Sequence, residues 1–287
     1  MTSRARRALP ELPEVETVRR DLAEVIPGRT VTKVTVSGAR SVRRQDRVEF
    51  ERLVTGRRFG QVSRHGKFLV LSLDDGPEAL VVHLRMSGQV RLHRSSDEVA
   101  KHTHVVFDLG GFGQMRFVDP RTFGELFVDT LDDDGRPSQL VHLGPDALDD
   151  RLTAAVLHRR VTAGRRSLGL KAALLDQRVL AGVGNLYADE ALFAARLRPS
   201  RPAAAFSRDD AGLVRRELRR ILRAAIAARG SSFADAAYVD TRGVTGGYAT
   251  RHQVYGRAGQ PCPACGTTIL RIVVAARGTH LCPSCQT

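Results

Sequence analysis

The chain has 287 residues, room for two domains of ordinary size, and is 42% apolar, yet no apolar run approaches the ~18 residues that span a bilayer. Its 45 basic residues outnumber 31 acidic ones, and the net charge of +14 points to a polyanionic partner, nucleic acid above all, rather than a plain solubility surface. The first nine residues, MTSRARRAL, are basic but lead into no apolar stretch, which argues against a secretory signal and for a cytoplasmic protein.

From Pro13 to Ile26 the apolar positions Val15, Val18, Leu22, Val25 and Ile26 follow helical spacing. Pro13 suits a first helical turn, Glu14 and Glu16 favour the positive end of the helix dipole, and Pro27-Gly28 stops the helix. The period then changes to two. Strands are predicted over residues 30–36, 67–73, 79–84, 89–92, 104–109, 114–118 and 125–128, several of them joined as hairpins by breaks such as Gly110-Gly111. Many short strands at close spacing indicate an antiparallel sandwich or barrel.

Strand signals stop in LDDDGRPSQLVHLGPDALDD, which places a boundary near Gly144-Pro145. Helices are predicted beyond it, over 150–160, 171–176, 185–195 and 208–229. The last gathers Val214, Leu218, Ile221, Leu222 and Ala225 on one face and arginines on the other, which reads as a solvated face. From Pro261 the chain is Cys-rich and returns to short strands. There Cys262, Cys265, Cys282 and Cys285 form one C-x2-C-x16-C-x2-C array, the spacing of two knuckles that hold a single zinc tetrahedrally at the ends of a hairpin. A disulfide pair is disfavoured in a cytosolic chain with no other cysteine. Four protein ligands leave no open position, so the Zn2+ is expected to be structural, one per chain. Arg277, on the hairpin, is placed to reach a groove or a phosphate.

Only Lys33, Lys67, Lys101 and Lys171 are lysines in a chain otherwise rich in Arg, so each marks a place where a compact ammonium serves better than a planar fork. Three of the four, Lys67, Lys101 and Lys171, fall in or just ahead of motifs that together carry a resemblance. PELPEVETVRR at Pro10, RHGKFLVL at Arg64, HLRMSG at His83, KHTH at Lys101, DPRTFGEL at Asp119, LLDQRVLAGVGNLYADEALF at Leu174, QVYGR at Gln253 and the cysteine array resemble, in order and over nearly the whole chain, formamidopyrimidine-DNA glycosylases. The related endonuclease VIII branch usually carries glycine where this chain has Leu12, so the purine-repair branch is the closer likeness.

The resemblance implies an α+β fold: an N-terminal antiparallel β-sandwich with flanking helices, then a helix-two-turn-helix domain with a zinc-finger β-hairpin. The expected division is an extension over 1–9, a catalytic sandwich over 10–144, a helical DNA-binding domain over 145–255 and a zinc finger over 256–287. The partner it implies is damaged double-stranded DNA, bound by a monomer with no membrane involved. The lesions it implies are oxidised purines such as 8-oxoguanine and formamidopyrimidines. Pro10 matches the family's N-terminal proline nucleophile, Glu11 the carboxylate that handles protons at the sugar ring oxygen, Glu14 a supporting carboxylate, and Lys67 a lysine bonded to phosphate at the lesion. Without Pro10 beside them, the two glutamates would read as helix-dipole capping. Lys101, His102, His104 and Lys171 match the DNA-binding surface.

His83 reads equally as a core hydrogen-bonder or a phosphate ligand. Asn185 is expected to cap the following helix, where free amides bind phosphate. Met86, Arg121 and Phe123 match the residues that fill the void left by an extruded nucleotide. The stretch from Val239 to His252 replaces a loop that varies in the family, and its glycines imply mobility.

Pro10 decides between two readings. A terminal secondary amine has a pKa of roughly 8, against about 10.4 for lysine, and can attack the sugar C1′. An internal proline nitrogen is an amide without an available lone pair, and the chain would then be a lesion-binding protein that cannot cut. Leu9 stands where the family has its initiator methionine, as a conceptual translation of a CTG or TTG start would print it. The expectation is therefore a mature chain beginning at Pro10. A third reading, a zinc-ribbon transcription factor, leaves Glu11, Glu14 and the LAGVGN turn unexplained.

Overall fold

Pro13 and Glu14 open helix α1 (Leu12–Val25) in the computed structural model, which describes residues 9–163, 168–233 and 238–287. The chain divides into two compact units, one running through His142 and regaining Arg229–Gly247, the other made of Leu143–Ala228 and Tyr248–Thr287. Residues 1–8 of the expected extension lie outside the described residues.

In the N-terminal unit, β1 (Lys33–Val36), α2 (Arg47–Val54), β2 (Phe59–His65), β3 (Phe68–Leu73), β4 (Glu78–His83), β5 (Gln89–His93), β6 (Thr103–Asp108), β7 (Gln114–Val118) and β8 (Glu125–Thr130) follow α1. They make two four-stranded antiparallel sheets, ordered β1-β6-β7-β5 and β2-β3-β4-β8. Both sheets turn apolar faces into one core. Val34, Val105, Phe107 and Phe117 of the first meet Phe59, Leu71, Leu80 and Leu126 of the second, and Val15, Val18 and Leu22 of α1 join them. Phe107 lies edge-on to both Phe50 and Phe59, with centroids 6.3 Å apart in each pair.

Two elements carry no clear pattern in the sequence. Helix α2 buries only Phe50 and Val54, one turn apart, behind an Asp46 cap that accepts the Glu49 amide at 2.9 Å. Strand β2 loses its alternation to a bulge between Phe59 and Val62.

The second unit holds α3 (Ala154–Ala163), α4 (Leu170–Leu175), α5 (Asn185–Ala194), α6 (Arg208–Ala227) and the antiparallel hairpin β9 (Leu270–Val274) and β10 (Arg277–Leu281). Ser207 caps α6 reciprocally with Asp210, and the predicted apolar stripe of that helix is buried. Glu190 of α5, almost fully buried, accepts the successive backbone amides of Gln253, Val254 and Tyr255 at 2.8–3.1 Å. This carboxylate explains the QVYGR motif: it fastens the chain leading to the cysteines onto the helix.

The expected domain limits need one correction. Residues 229–247 belong with the sandwich rather than the helices, because Arg229 pairs with Asp21 of α1 at 2.6 Å and the Leu92 amide donates to the Thr241 carbonyl at 3.1 Å. Among the described residues no helix is long and apolar enough to cross a membrane.

Candidate active site and nucleic-acid interface

Pro10 is buried immediately ahead of α1, and Glu11 is the helix N-cap. Glu11 and Glu14 are each only 2% exposed, and carboxylates are seldom so buried without a task. One oxygen of Glu14 reaches back to accept the Glu11 amide at 2.9 Å; the other accepts the Ser231 amide at 2.8 Å. Gly230 brings that second amide in with φ +85°, and a Cβ there would stand 3.0 Å from the Glu14 side chain. Arg229 anchors the segment between Asp21 and Asp240, and Thr241 donates its hydroxyl to Asp21 at 2.9 Å. Burial first, and then the charge of Glu14, push the Tyr238 phenol above its ordinary range.

The stretch after Val239 is not the loose loop its glycines suggest. Asp240 accepts the amides of Arg242 and Val244 at 2.9 Å, and a Cβ at Gly246 would lie 2.3 Å from the Gly230 carbonyl. That glycine permits close backbone packing.

Lys67 sits in the turn between β2 and β3 rather than inside a strand, half-buried. Arg64 shapes this turn, donating to the Gly66 carbonyl at 2.7 Å while pairing with Glu16 of α1 at 3.1 Å. Burial opposes ionisation of Glu16, but Arg19, Arg20 and Arg64 outweigh it and hold the carboxyl below its ordinary value. His83, at the end of β4, packs edge-on against Phe68 at 4.4 Å and accepts the Arg85 amide on Nδ1 at 2.9 Å. Burial first, then the charges of Arg85, Lys67 and Arg44, lower its pKa well below the usual value. It is a neutral imidazole with its proton on Nε2, able to donate a hydrogen bond but not to act as a cation.

Met86 lies half-buried in the turn between β4 and β5, and Phe123, 44% exposed, lies in the loop before β8. The Arg121 guanidinium rests over the Phe123 ring, 4.8 Å from its centroid. Beneath both loops lies Asp119, fully buried, which accepts the Ser87 hydroxyl at 2.5 Å, the Arg121 amide at 3.1 Å and the Gly124 amide at 2.7 Å. Lys101 and His102 form an exposed turn before β6. His104 needs a correction as a DNA contact: its Nε2 is committed to the Asp119 carbonyl at 2.8 Å, and Gly38 packs against the ring, so it serves the neighbouring loop.

In the second unit, Lys171 also departs from expectation. It is fully buried, with Nζ 2.6 Å from Asp189 and 2.8 Å from the Thr279 hydroxyl, so it cannot lie on a DNA-binding surface. Asp189 also accepts the His280 amide at 2.8 Å, tying α4, α5 and β10 together. Asn185 is the first residue of α5 rather than its cap; Gly184 holds the cap position, and the Asn185 amide donates to the Gly278 carbonyl at 3.0 Å. Arg277 stands exposed at the start of β10, after a two-residue turn in which Ala275 and Ala276 have φ of 48° and 59°.

The sequence reading missed Asp119, Asp189, Ser231 and Asp240. Asp119, as the first residue of DPRTFGEL, and Asp189, within LLDQRVLAGVGNLYADEALF, carried a usable signal; Ser231 and Asp240 carried none.

The four cysteine sulfurs all lie within 4.8 Å of one another, Cys262 to Cys285 at 3.9 Å and Cys265 to Cys282 at 3.5 Å. Tetrahedral zinc with Zn–S of about 2.3 Å sets its sulfurs about 3.8 Å apart, so the cluster fits one structural zinc. With all four positions protein-filled, the metal holds the β9–β10 segment and takes no substrate.

Three family models match the chain: the formamidopyrimidine-DNA glycosylase N-terminal domain over residues 9–126, the H2TH domain of the same glycosylases over 143–236, and a zinc finger found in FPG and IleRS over 259–287. A formamidopyrimidine-DNA glycosylase of Thermus thermophilus is 45% identical over 278 residues, spanning 97% of this chain and 98% of its own length. One from Symbiobacterium thermophilum is 42% identical, over 97% and 89%. The crystal structure of the Thermus thermophilus MutM (Fpg) protein superposes with a TM-score of 0.85 at 44% identity, over 96% of this chain and 98% of that one. A Lactococcus lactis Fpg in complex with abasic-site DNA does so with 0.85 at 31% identity, over 97% and 100%.

Proposed function

The chain belongs to the formamidopyrimidine-DNA glycosylase family, and on that premise we propose that it excises oxidised purines, 8-oxoguanine and formamidopyrimidines, from duplex DNA and then cuts the strand at the abasic site. Pro10, as a free terminal amine, attacks the sugar C1′; the damaged base leaves with the electron pair of the glycosidic bond and takes up the proton that the Pro10 nitrogen gives up. Glu11 delivers a proton to the ring oxygen as the ring opens, leaving an iminium between Pro10 and C1′. The iminium acidifies the neighbouring sugar proton, and successive eliminations expel the phosphates on either side.

Glu14 fixes the Glu11 backbone, and Lys67 and a neutral His83 donate to phosphates at the lesion. Met86, Arg121 and Phe123 fill the vacated stack. Lys101, His102 and Arg277 supply the sequence-independent phosphate contacts. Lys171 and Asn185 act behind Arg277, holding the β10 backbone within the helical unit.

One observation carries the proposal: Glu11 and Glu14, both 2% exposed, stand within one helical turn of Pro10, with Glu14 holding the Glu11 amide. The two carboxylates also form the reciprocal capping box of α1, which accounts for their bonds to its first amides; their near-complete burial beside Pro10 goes beyond what a cap requires. The chemistry requires a free amine on Pro10, so the reading rests on an active form in which nothing precedes that residue.

The test is cleavage of an 8-oxoguanine duplex by chains beginning at Pro10. Glu11→Gln is expected to lower single-turnover excision roughly 10²- to 10⁴-fold, the usual range for a lost general acid. Pro10→Gly is expected to lower both excision and strand cutting. Undiminished nicking by both variants would overturn the assignment, and binding without cutting would leave a lesion-recognition protein.

A further inference from the structure

Five motif residues of the N-terminal unit, Met86, Lys101, His102, Arg121 and Phe123, lie in three separate loops, with His104 on β6 beside the second, and every one of those loops is hydrogen-bonded to a single residue. Asp119 takes the Ser87 hydroxyl from the first loop and the Arg121 and Gly124 amides from the third on its carboxylate. Its own amide donates to the His102 carbonyl of the second at 2.9 Å. Its carbonyl accepts from His104 Nε2 and from the Thr122 amide. Among the described residues it forms no ion pair, so a fully buried carboxylate is held by neutral donors alone.

We propose that Asp119 is the positioning residue of the base-displacing wedge, holding Met86 and the stacked Arg121–Phe123 pair as one rigid unit. Two further features support this. Each of the three loops contains a non-glycine residue with positive φ, namely Arg85 at 53°, His102 at 68° and Thr122 at 56°. Such conformations persist only where surrounding contacts over-determine them. The loops also close on one ring: a Cβ at Gly88 or Gly124 would stand 2.8 or 2.4 Å from Phe117 Cζ. The chemistry further explains why the residue is an acid. Asparagine has the same shape but a single acceptor oxygen, so it would set an amide donor against the Gly124 or the Ser87 side of the site. A carboxylate alone serves both.

The inference rests on the glycosylase reading, and the experiment separates the two. The chain beginning at Pro10 is compared with Asp119→Asn, Ser87→Ala, Phe123→Ala and the Asp119→Asn/Phe123→Ala double variant. Two substrates are used: an 8-oxoguanine duplex, whose base must be levered from the stack, and a single-stranded abasic oligonucleotide trapped by borohydride, which needs no wedge. Asp119→Asn is expected to slow duplex excision roughly tenfold or more while single-stranded trapping stays within about twofold. The double variant is expected to lose less than the product of the two single losses, because part of the wedge that Asp119 holds is already gone in Phe123→Ala.

Ser87→Ala, which removes one donor without placing a new group in the site, is expected to show the same split with a smaller loss. Hydrogen exchange of the Arg121 and Gly124 amides is expected to quicken together with that of the Met86–Gly88 turn in Asp119→Asn. Equal loss on both substrates, full additivity with Phe123→Ala, or unchanged exchange in the Met86 turn would overturn the assignment. Absence of trapping by the unsubstituted chain would instead defeat the glycosylase reading.

Discussion

Met86, Arg121 and Phe123 on one unit, and Lys171 and Asn185 on the other, come from motifs of equal clarity, and the fold treats the two sets in opposite ways. In the N-terminal unit the motif side chains reach the surface, while a buried acid ties their loops together through the Ser87 hydroxyl and the Arg121 and Gly124 amides. In the helical unit the motif lysine is itself the buried frame, its ammonium set against Asp189, and the hairpin arginine is left as the exposed group. The difference teaches that a motif marks a place where geometry matters, and that burial decides which member touches the ligand. A charge sealed at 0% exposure positions its neighbours; a charge on a turn can meet a phosphate.

The largest effect expected is on the helical unit. Cys282→Ser removes one of four zinc ligands, and structural zinc contributes on the order of 10 kcal/mol to the segment that binds it. Metal analysis should find less than one zinc per chain, and the β9–β10 amides should lose protection from exchange.

Next comes the buried pair. Lys171→Met leaves Asp189 uncompensated and should destabilise the unit by about 3–5 kcal/mol in urea unfolding, whereas Lys171→Met with Asp189→Leu should recover most of it. A surface lysine would give a change within about 0.5 kcal/mol, so this pair of variants breaks or sustains the contrast directly.

Acid reads the same unit more gently. His252 lies between Tyr248 and Tyr255, and burial lowers its pKa to about 4 from the usual 6.5. Above pH 6.5 the imidazole is neutral whether folded or unfolded, so it adds no pH dependence. Below 6.5 the unfolded chain takes up a proton that the folded one refuses. Stability is therefore lost as pH falls from 6.5 towards 4, by on the order of 3 kcal/mol, and then levels. His252→Phe should flatten that slope in unfolding measured between about pH 7 and pH 4. The smallest stability effect belongs to the other side of the comparison: Phe123→Ala, at an exposed loop, should change stability by less than about 0.5 kcal/mol. Duplex excision should nonetheless fall roughly tenfold or more.

Where local pattern carries structure, the sequence was a good guide. α1 begins one residue ahead of its Pro13 signal, β7 spans the predicted Gln114–Val118, and the cysteine spacing identified the zinc cluster. What escaped it depends on partners distant in the chain. α2 has two core residues and no periodic stripe, and the bulge erases the alternation of β2. Lys171 looks like any cationic motif residue until Asp189 and Thr279 are folded around it. Residues 229–247 join the sandwich through partners far off in sequence, Asp21 and Glu14 more than 200 positions earlier and Leu92 as well. Buried carboxylates such as Asp119 and Asp240 look in sequence like loop acids, because the amides they collect leave no mark on composition.

The central claim is that Pro10 is the reacting amine. Protein from its native host should be incubated with an abasic duplex, reduced with borohydride and mapped by mass spectrometry. The account predicts a mature chain that begins at Pro10 and carries the reduced sugar on the Pro10 nitrogen. A mature chain beginning at Met1 or Thr2, with no trapped DNA, would contradict it.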